Sequence, residues 1–343
     1  MKMDVKLNLI SKSPHTSAVI TGFISLFEQG IINLKIKERY DLAYNYPHEH
    51  IVEAYADNKR IAFDMLDGYN WDKDKAEKYI KTTDLYFKRS FSPEMNSLMD
   101  GSVSHKIRPL GFNYHVTCKN NPIDKGLGGS GKRFIKRILG RDNSPGQFTV
   151  EVFETVPAFV QEEDLKIIFF TRLWELDNPS QSLNNERKMI NEMRVNLIRK
   201  LKERYPCNFT GGVENNAVAR DSCADLIVSN RQYSRKRYLE MMKNSDICIG
   251  TMGLHESIGW KTAEYIAASK AIINERFHYK VTGDFQKGKN YLEFNDVDEC
   301  IDQVDFLMKN PEAVYNMKCE NERYYNKYLR PDRLVYNALI QID

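Results

Sequence analysis

Long apolar runs are missing from this sequence. No stretch approaches the ~18 residues a membrane-spanning helix requires, so an integral helical membrane protein is not expected. Paired cysteines are missing too. Cys118, Cys207, Cys223, Cys248, Cys300 and Cys319 form no C-x-x-C pair and read as free thiols of a reducing compartment. Asn208-Phe-Thr210 is a formal glycosylation sequon, but no signal peptide supports secretion, and the expected location is the cytoplasm. Excess charge of one sign is small: 50 Lys and Arg against 47 Asp and Glu leave +3, too little to argue for a nucleic-acid partner. Metal spacing is thin. His48-Glu-His50 has the H-x-H spacing of a strand but no evident third ligand, so no metal is expected. Gly126-Leu-Gly-Gly-Ser-Gly-Lys-Arg133 falls short of a phosphate loop twice. Arg133 stands where Ser or Thr belongs, and no apolar strand precedes Gly126.

What remains is an ordinary globular composition, 42% apolar and 28% charged over 343 residues, with length enough for two cores. Residues 5–10 alternate as a strand and are followed by the hydroxyl-rich loop Ser11-Lys-Ser-Pro-His-Thr-Ser17 and a helical pattern over 18–28. Strand, polar loop and helix open a βαβ unit, and ligands in such sheets sit beyond the strands' carboxyl ends. His15 is therefore a candidate, although a lone loop histidine is more often surface. Further strands are expected over 41–46, 60–67 (ending at Asp64 and Asp67), 84–88 and 106–112, with a charged helix over 72–81. Residues 132–141 form a basic amphipathic stretch, suited either to an anionic membrane surface or to packing on the N-terminal sheet. A strand over 148–156 leads into a connection at 157–163. A second series follows: strands over 165–170, 208–213, 246–250, 271–274 and 291–294, and helices over 184–204, 234–243 (capped by Ser234) and 296–308. The tyrosine-rich tail from 311 is helical and broken at Pro331. The expected domains are 1–157 and 158–320, with 321–343 as a helical segment able to pack back on the first.

The stretch Gly253-Leu-His-Glu-Ser-Ile-Gly-Trp-Lys-Thr-Ala-Glu264 stands between a buried strand and a helix. Backbone amides of Ser257 to Gly259 at the helix entry offer an anion seat. Arg172 leaves the first strand of this domain, and Lys261 lies in the first helical turn. Two cations and a helix N-terminus suit a diphosphate. Glu264 can accept hydrogen bonds from a ribose diol, and Glu256 from a hydroxyl of the group the diphosphate carries. Such a site suits a nucleotide sugar and glycosyl transfer, with the departing diphosphate stabilised without metal.

Glu256-Ser-Ile-Gly-x4-Glu264 resembles the Glu-Gly-Phe-Gly-x4-Glu signature of retaining glycosyltransferases of the GT-B fold, family 4 in particular. The strand ending in Thr171-Arg-Leu resembles that family's strand ending in Gly-Arg-Leu, and Lys289-Asn-Tyr-Leu-Glu-Phe294 resembles its later loop and strand. The resemblance covers residues 165 to 310. It implies two Rossmann-like, doubly wound α/β domains facing across a cleft. It also implies a donor-sugar contact for Glu256, a ribose contact for Glu264 and a phosphate contact for Arg172. His255, Ser257, Ile258, Gly259 and Lys261 complete the expected donor site. The family's companion lysine after the arginine is absent, and Lys261 or Lys188 stands in. Its glycine-rich first loop and mid-domain histidine are replaced by the 11–17 loop and by Asp64 and Asp67. Glu256, Asp67 and His15 are the expected catalytic residues, with Asp67 and His15 facing the acceptor, expected to be a glycan or lipid-linked intermediate of polysaccharide synthesis, and with peripheral membrane contact through 132–141. The competing expectations are a sugar-nucleotide epimerase of the same fold and a non-catalytic nucleotide-sugar binder.

Overall fold

The computed structural model describes residues 2–123, 148–229 and 234–342. The expectations placed on 126–133 and 132–141 lie outside the described residues. Two α/β domains face one another across a cleft.

The N-terminal sheet has six strands: β1 (Met3–Leu9), β2 (Ile32–Glu38), β3 (Ile51–Ala56), β4 (Lys59–Asp64), β5 (Leu85–Lys88) and β6 (Ile107–Pro109), in the order β2-β1-β3-β4-β5-β6. All neighbours are parallel except at β3, which runs against both β1 and β4. Three sequence expectations are corrected. Residues 41–46 are not a strand: 41–45 lie in the 3-10 helix Tyr40–Asn45, none of whose side chains is buried, only Tyr46 after it reaches the core, and no neighbour strand pairs with them. Two unexpected strands take their place. β2 alternates Ile32, Leu34 and Ile36 inward against exposed Asn33, Lys35 and Lys37, the pattern of a half-solvated edge. β3 and β4 form a hairpin closed by Asp57-Asn58, with Asp57 left-handed at φ 48°. The third correction is at 148–156, where the short helix Val150–Phe153 stands in place of a strand and buries Phe153.

The helix Ser17–Glu28 buries nine of its twelve residues between this sheet and the helix Pro331–Leu339. A Cβ on Gly22 would stand 2.1 Å from the Pro331 carbonyl oxygen, so only glycine lets the two helices approach this closely. The last helix of the chain therefore packs on the N-terminal domain.

The C-terminal sheet is wholly parallel: β7 (Ile167–Thr171), β8 (Phe209–Val213), β9 (Ile247–Gly250), β10 (Ala271–Glu275) and β11 (Leu292–Phe294), ordered β11-β10-β9-β7-β8. Its central strands are buried throughout, as their uninterrupted apolar runs require. The chain reverses direction across the sheet between β7 and β9, and this switch point opens a crevice at their carboxyl ends. Phe112, Tyr114 and Phe153 share a core with Ile168, Phe170 and Tyr265, so the segments flanking 124–147 pack onto the C-terminal domain. Among the described residues, no helix is long and apolar enough to cross a membrane.

Candidate functional site

The crevice at the β7/β9 switch point is a cleft of about 540 Å³ lined from both domains. Its C-terminal wall carries Arg172, Trp174, Thr251, Gly253 to His255 and Ser257 to Thr262; its N-terminal wall carries His15, His50, Leu66, Asp67 and Asn70. The N-terminal residues meet there because β1, β4 and β5 run the same way while β3 starts where they end.

On the C-terminal side, β9 ends in Gly250, where a Cβ would lie 2.0 Å from the Asn274 side-chain oxygen. The missing side chain lets β9 and β10 support the loop that follows. That loop is closely held. Gly253 N–H donates to the Ser257 carbonyl (2.9 Å), and Ser257 N–H donates to the Leu254 carbonyl (3.2 Å). His255 N–H donates to Glu186 (2.6 Å), and Tyr279 O–H donates to the His255 carbonyl (2.9 Å). Between these ties His255 and Glu256 are both left-handed, with φ of 59° and 56°. Such strain in two adjacent non-glycine residues persists only where surrounding contacts impose it. The Arg194 guanidinium fixes the base of the loop, donating to Thr251 Oγ1 (3.1 Å), the Arg172 carbonyl (2.7 Å) and the Met252 carbonyl (2.8 Å).

The helix Trp260–Ala267 then begins with Gly259 as its N-cap, and no side chain caps it. Since the Ser257 amide is used within the loop, the amides left open at the helix entry are those of Gly259 and Trp260 and not a run starting at Ser257. Neither amide has an acceptor among the described residues. Lys261 follows, its ammonium donating to the Phe170 carbonyl and lying 5.1 Å from the Tyr238 ring centre. Burial pushes its pKa down to about 7, against the opposing pull of Glu264. Arg172 is exposed, with its guanidinium 5.4 Å from the Trp174 ring centre. Arg172, Lys261 and the helix entry thus share one wall.

The two glutamates are placed differently from expectation. Glu256 does not line the cleft; it is exposed and pairs with His278 Nδ1 at 3.3 Å. Glu264 lies in the helix and is 1% exposed, and both its oxygens accept from Arg235, at 3.0 and 2.5 Å. With both oxygens held by a guanidinium, it acts in this arrangement as the anchor of Arg235 and not as an open acceptor. Lys188 is also remote in role, forming an exposed pair with Glu192.

On the N-terminal side, His15 stacks near His50 (ring centres 4.5 Å apart) and meets Trp260 edge-on (4.6 Å). Its Nδ1 is buried without a hydrogen-bond partner among the described residues. Burial, then the neighbouring His50 and Arg89, lower its pKa to about 4, so the ring is neutral at pH 7. His50 is lowered as well, and its Nδ1 lies 2.7 Å from Ser13 Oγ. His48 serves the structure by approaching Asp64 at 3.2 Å. Asp64 is fully buried. Burial opposes its charge, but the Lys88 ammonium at 2.9 Å and His48 hold the carboxyl below its usual range. Asp67 points to the cleft and pairs with Arg89.

Sequence reasoning missed three contributors: Arg89, Trp260 and His50 in this role. Two of them carry a signal: Arg89 follows β5 directly, and Trp260 is the first residue of the helix. No group of three or more His, Cys, Asp or Glu side chains suited to a metal occurs among the described residues.

No family model matches this sequence, and no curated protein matches it. Solved structures do. A glycosyltransferase from Rickettsia africae aligns with 82% of this chain and 69% of its own, at 11% identity and a TM-score of 0.45. The Anabaena protein HepE in complex with UDP-glucose aligns with 99% of both chains, at 10% identity and a TM-score of 0.40. A UDP-GlcNAc 2-epimerase from Neisseria meningitidis, bound to UDP-GlcNAc, aligns with 93% of this chain and 72% of its own, at 14% identity and a TM-score of 0.36. All three are likenesses of chain path at low identity.

Proposed function

We propose that this protein is a GT-B glycosyltransferase that takes a sugar from a nucleotide diphosphate donor and transfers it to a glycan or lipid-linked acceptor. One observation carries the reading: an uncapped helix entry beside Arg172 and Lys261 at a sheet switch point, opposite a wall of neutral imidazoles and Asp67. The seat supplies what a leaving diphosphate needs. Two cations and the helix dipole oppose the charge that grows as the glycosidic bond breaks, so the transfer needs no metal. His15 at pH 7 offers a neutral ring nitrogen to a hydroxyl, and Asp67 and Asn70 offer further polar contacts to the acceptor. Transfer proceeds with retention, the acceptor attacking the face from which the diphosphate leaves.

A thermal-shift panel of nucleoside diphosphates and their sugar esters tests this. A true donor at about 100 times its Kd adds about 2.7 kcal/mol of stability by mass action. Arg172→Ala is expected to abolish that shift without lowering the melting temperature of the free protein. The reading is lost if no nucleoside diphosphate stabilises the protein.

The convergence of His15, His50 and Asp67 on one wall favours a second reading, a sugar-nucleotide epimerase, for which groups able to move protons must face the sugar. Proton NMR of the protein with a bound donor and no acceptor separates the two. An epimerase interconverts the donor's sugar alone, whereas a transferase leaves it unchanged until an acceptor is added.

A further inference from the structure

Arg89 is only 2% exposed and is one of the largest fully buried side chains of the chain. It leaves the end of β5 in the N-terminal domain, yet its Nη2 donates across the cleft to the carbonyl oxygen of Ile258, at 2.7 Å. Its Nη1 donates to Asp67, and its guanidinium carbon stands 5.7 Å from the centre of the Trp260 ring. A desolvated guanidinium is costly unless its donors are used, and here one of them is used on the other domain.

The acceptor is one peptide bond away from the anion seat. A trans peptide is planar, so the Ile258 carbonyl and the Gly259 N–H point in opposite directions, and fixing one fixes the other. A charged donor on the carbonyl also polarises the unit and strengthens its N–H as a donor. Trp260, the next residue, sends its ring against His15 and His115. The entry of this helix, part of the C-terminal domain, thus meets Arg89 and His15 of the N-terminal domain.

We propose that Arg89 is a positioning residue: it ties the two domains through Ile258 and sets the Gly259 amide for an anion, so the seat is complete only when the cleft is closed. What fills the seat rests on the nucleotide-sugar reading; the tie between domains does not. Anion binding and domain closure are then one linked equilibrium, in which a ligand that needs the finished seat favours the closed form. Asp67 acts in the same device by holding the guanidinium toward Ile258.

The experiment compares the full chain with Arg89→Gln and Arg89→Lys, by small-angle X-ray scattering and by calorimetric titration with inorganic pyrophosphate. Arg89→Gln is expected to increase the radius of gyration of the free protein and to weaken pyrophosphate binding about tenfold or more. Arg89→Lys keeps the charge but cannot serve both Asp67 and Ile258, and is expected to fall between; it also carries the test if Arg89→Gln does not fold. A merely structural arginine would lower the melting temperature without changing pyrophosphate affinity in the folded variants. Wild-type radius and affinity in both variants would overturn the proposal while leaving the seat intact. A wild-type protein that binds neither pyrophosphate nor any nucleoside diphosphate removes the seat, and the positioning role with it.

Discussion

Lys261 shows how a single residue carries both a cost and a use. Its ammonium sits against the Phe170 carbonyl and the Tyr238 ring, and burial lowers its pKa to about 7. Near neutrality, about half of the free protein therefore lacks this charge. A diphosphate beside it favours the protonated form and raises the pKa in the complex. Between the two values, binding must take up a proton, so affinity falls as pH rises above 7, by up to about tenfold per unit. Below 7 the lysine is already charged and this dependence fades. Calorimetry at pH 8 in buffers of differing ionisation enthalpy measures the proton taken up, and Lys261→Met is expected to abolish it. A net uptake of zero in the wild-type protein would dismiss Lys261 from the seat. The glutamates teach the complementary lesson. Their eight-residue spacing was legible, but its meaning depends on neighbours far away in sequence. Arg235 takes up Glu264, and two left-handed residues turn Glu256 toward His278.

At the scale of elements, the support beneath the seat is a matter of close approach. Gly250→Ala would bring a methyl to within 2.0 Å of an Asn274 oxygen that is already engaged by Thr262, at 2.9 Å. Asn274 also donates to the Glu275 carbonyl at 2.6 Å, so it is not free to swing aside. The expected loss is about 1–3 kcal/mol, the usual cost of overpacking, read from urea unfolding. A variant within about 0.5 kcal/mol of wild type would show that the strand and helix adjust without strain. The buried strands of the C-terminal sheet were legible because continuous apolar runs such as Ile247-Cys-Ile need two covered faces. The N-terminal strands were harder. β2 buries only Ile32 completely, and the β3/β4 hairpin depends on a two-residue turn inside one longer apolar region. The 3-10 helix Tyr40–Asn45 carries the aromatic residues of a strand without a partner to pair with.

For the whole molecule, the cleft is a joint product of two sheets, and that is why His15 and Asp67 could be singled out in the sequence while the partners that surround them could not. Arg172, Lys261 and the helix entry follow one another through a single βα series, so spacing reveals them. His15, His50, His115, Asp67 and Arg89 come from separate strand ends and loops, and only the topology of the N-terminal sheet brings them together. Their shared surroundings give the assembly a pH limit. Burial is the first cause lowering His15, to about 4, and it also lowers His50 and His115. A histidine whose folded pKa lies below its unfolded value of about 6.5 binds protons more readily when released. Its contribution to stability is therefore complete above pH 6.5 and declines as pH falls from there toward 4. Protonation puts charge next to the Arg89 guanidinium and the Trp260 ring, so the interdomain contact is the part expected to yield first. Scattering at pH 7, 5.5 and 4.5 should show the radius of gyration rising before helical circular dichroism is lost. His15→Asn, which cannot take up that proton, should move the opening to lower pH. If opening and unfolding coincide in both proteins, the histidines report global unfolding and are not the hinge of the cleft.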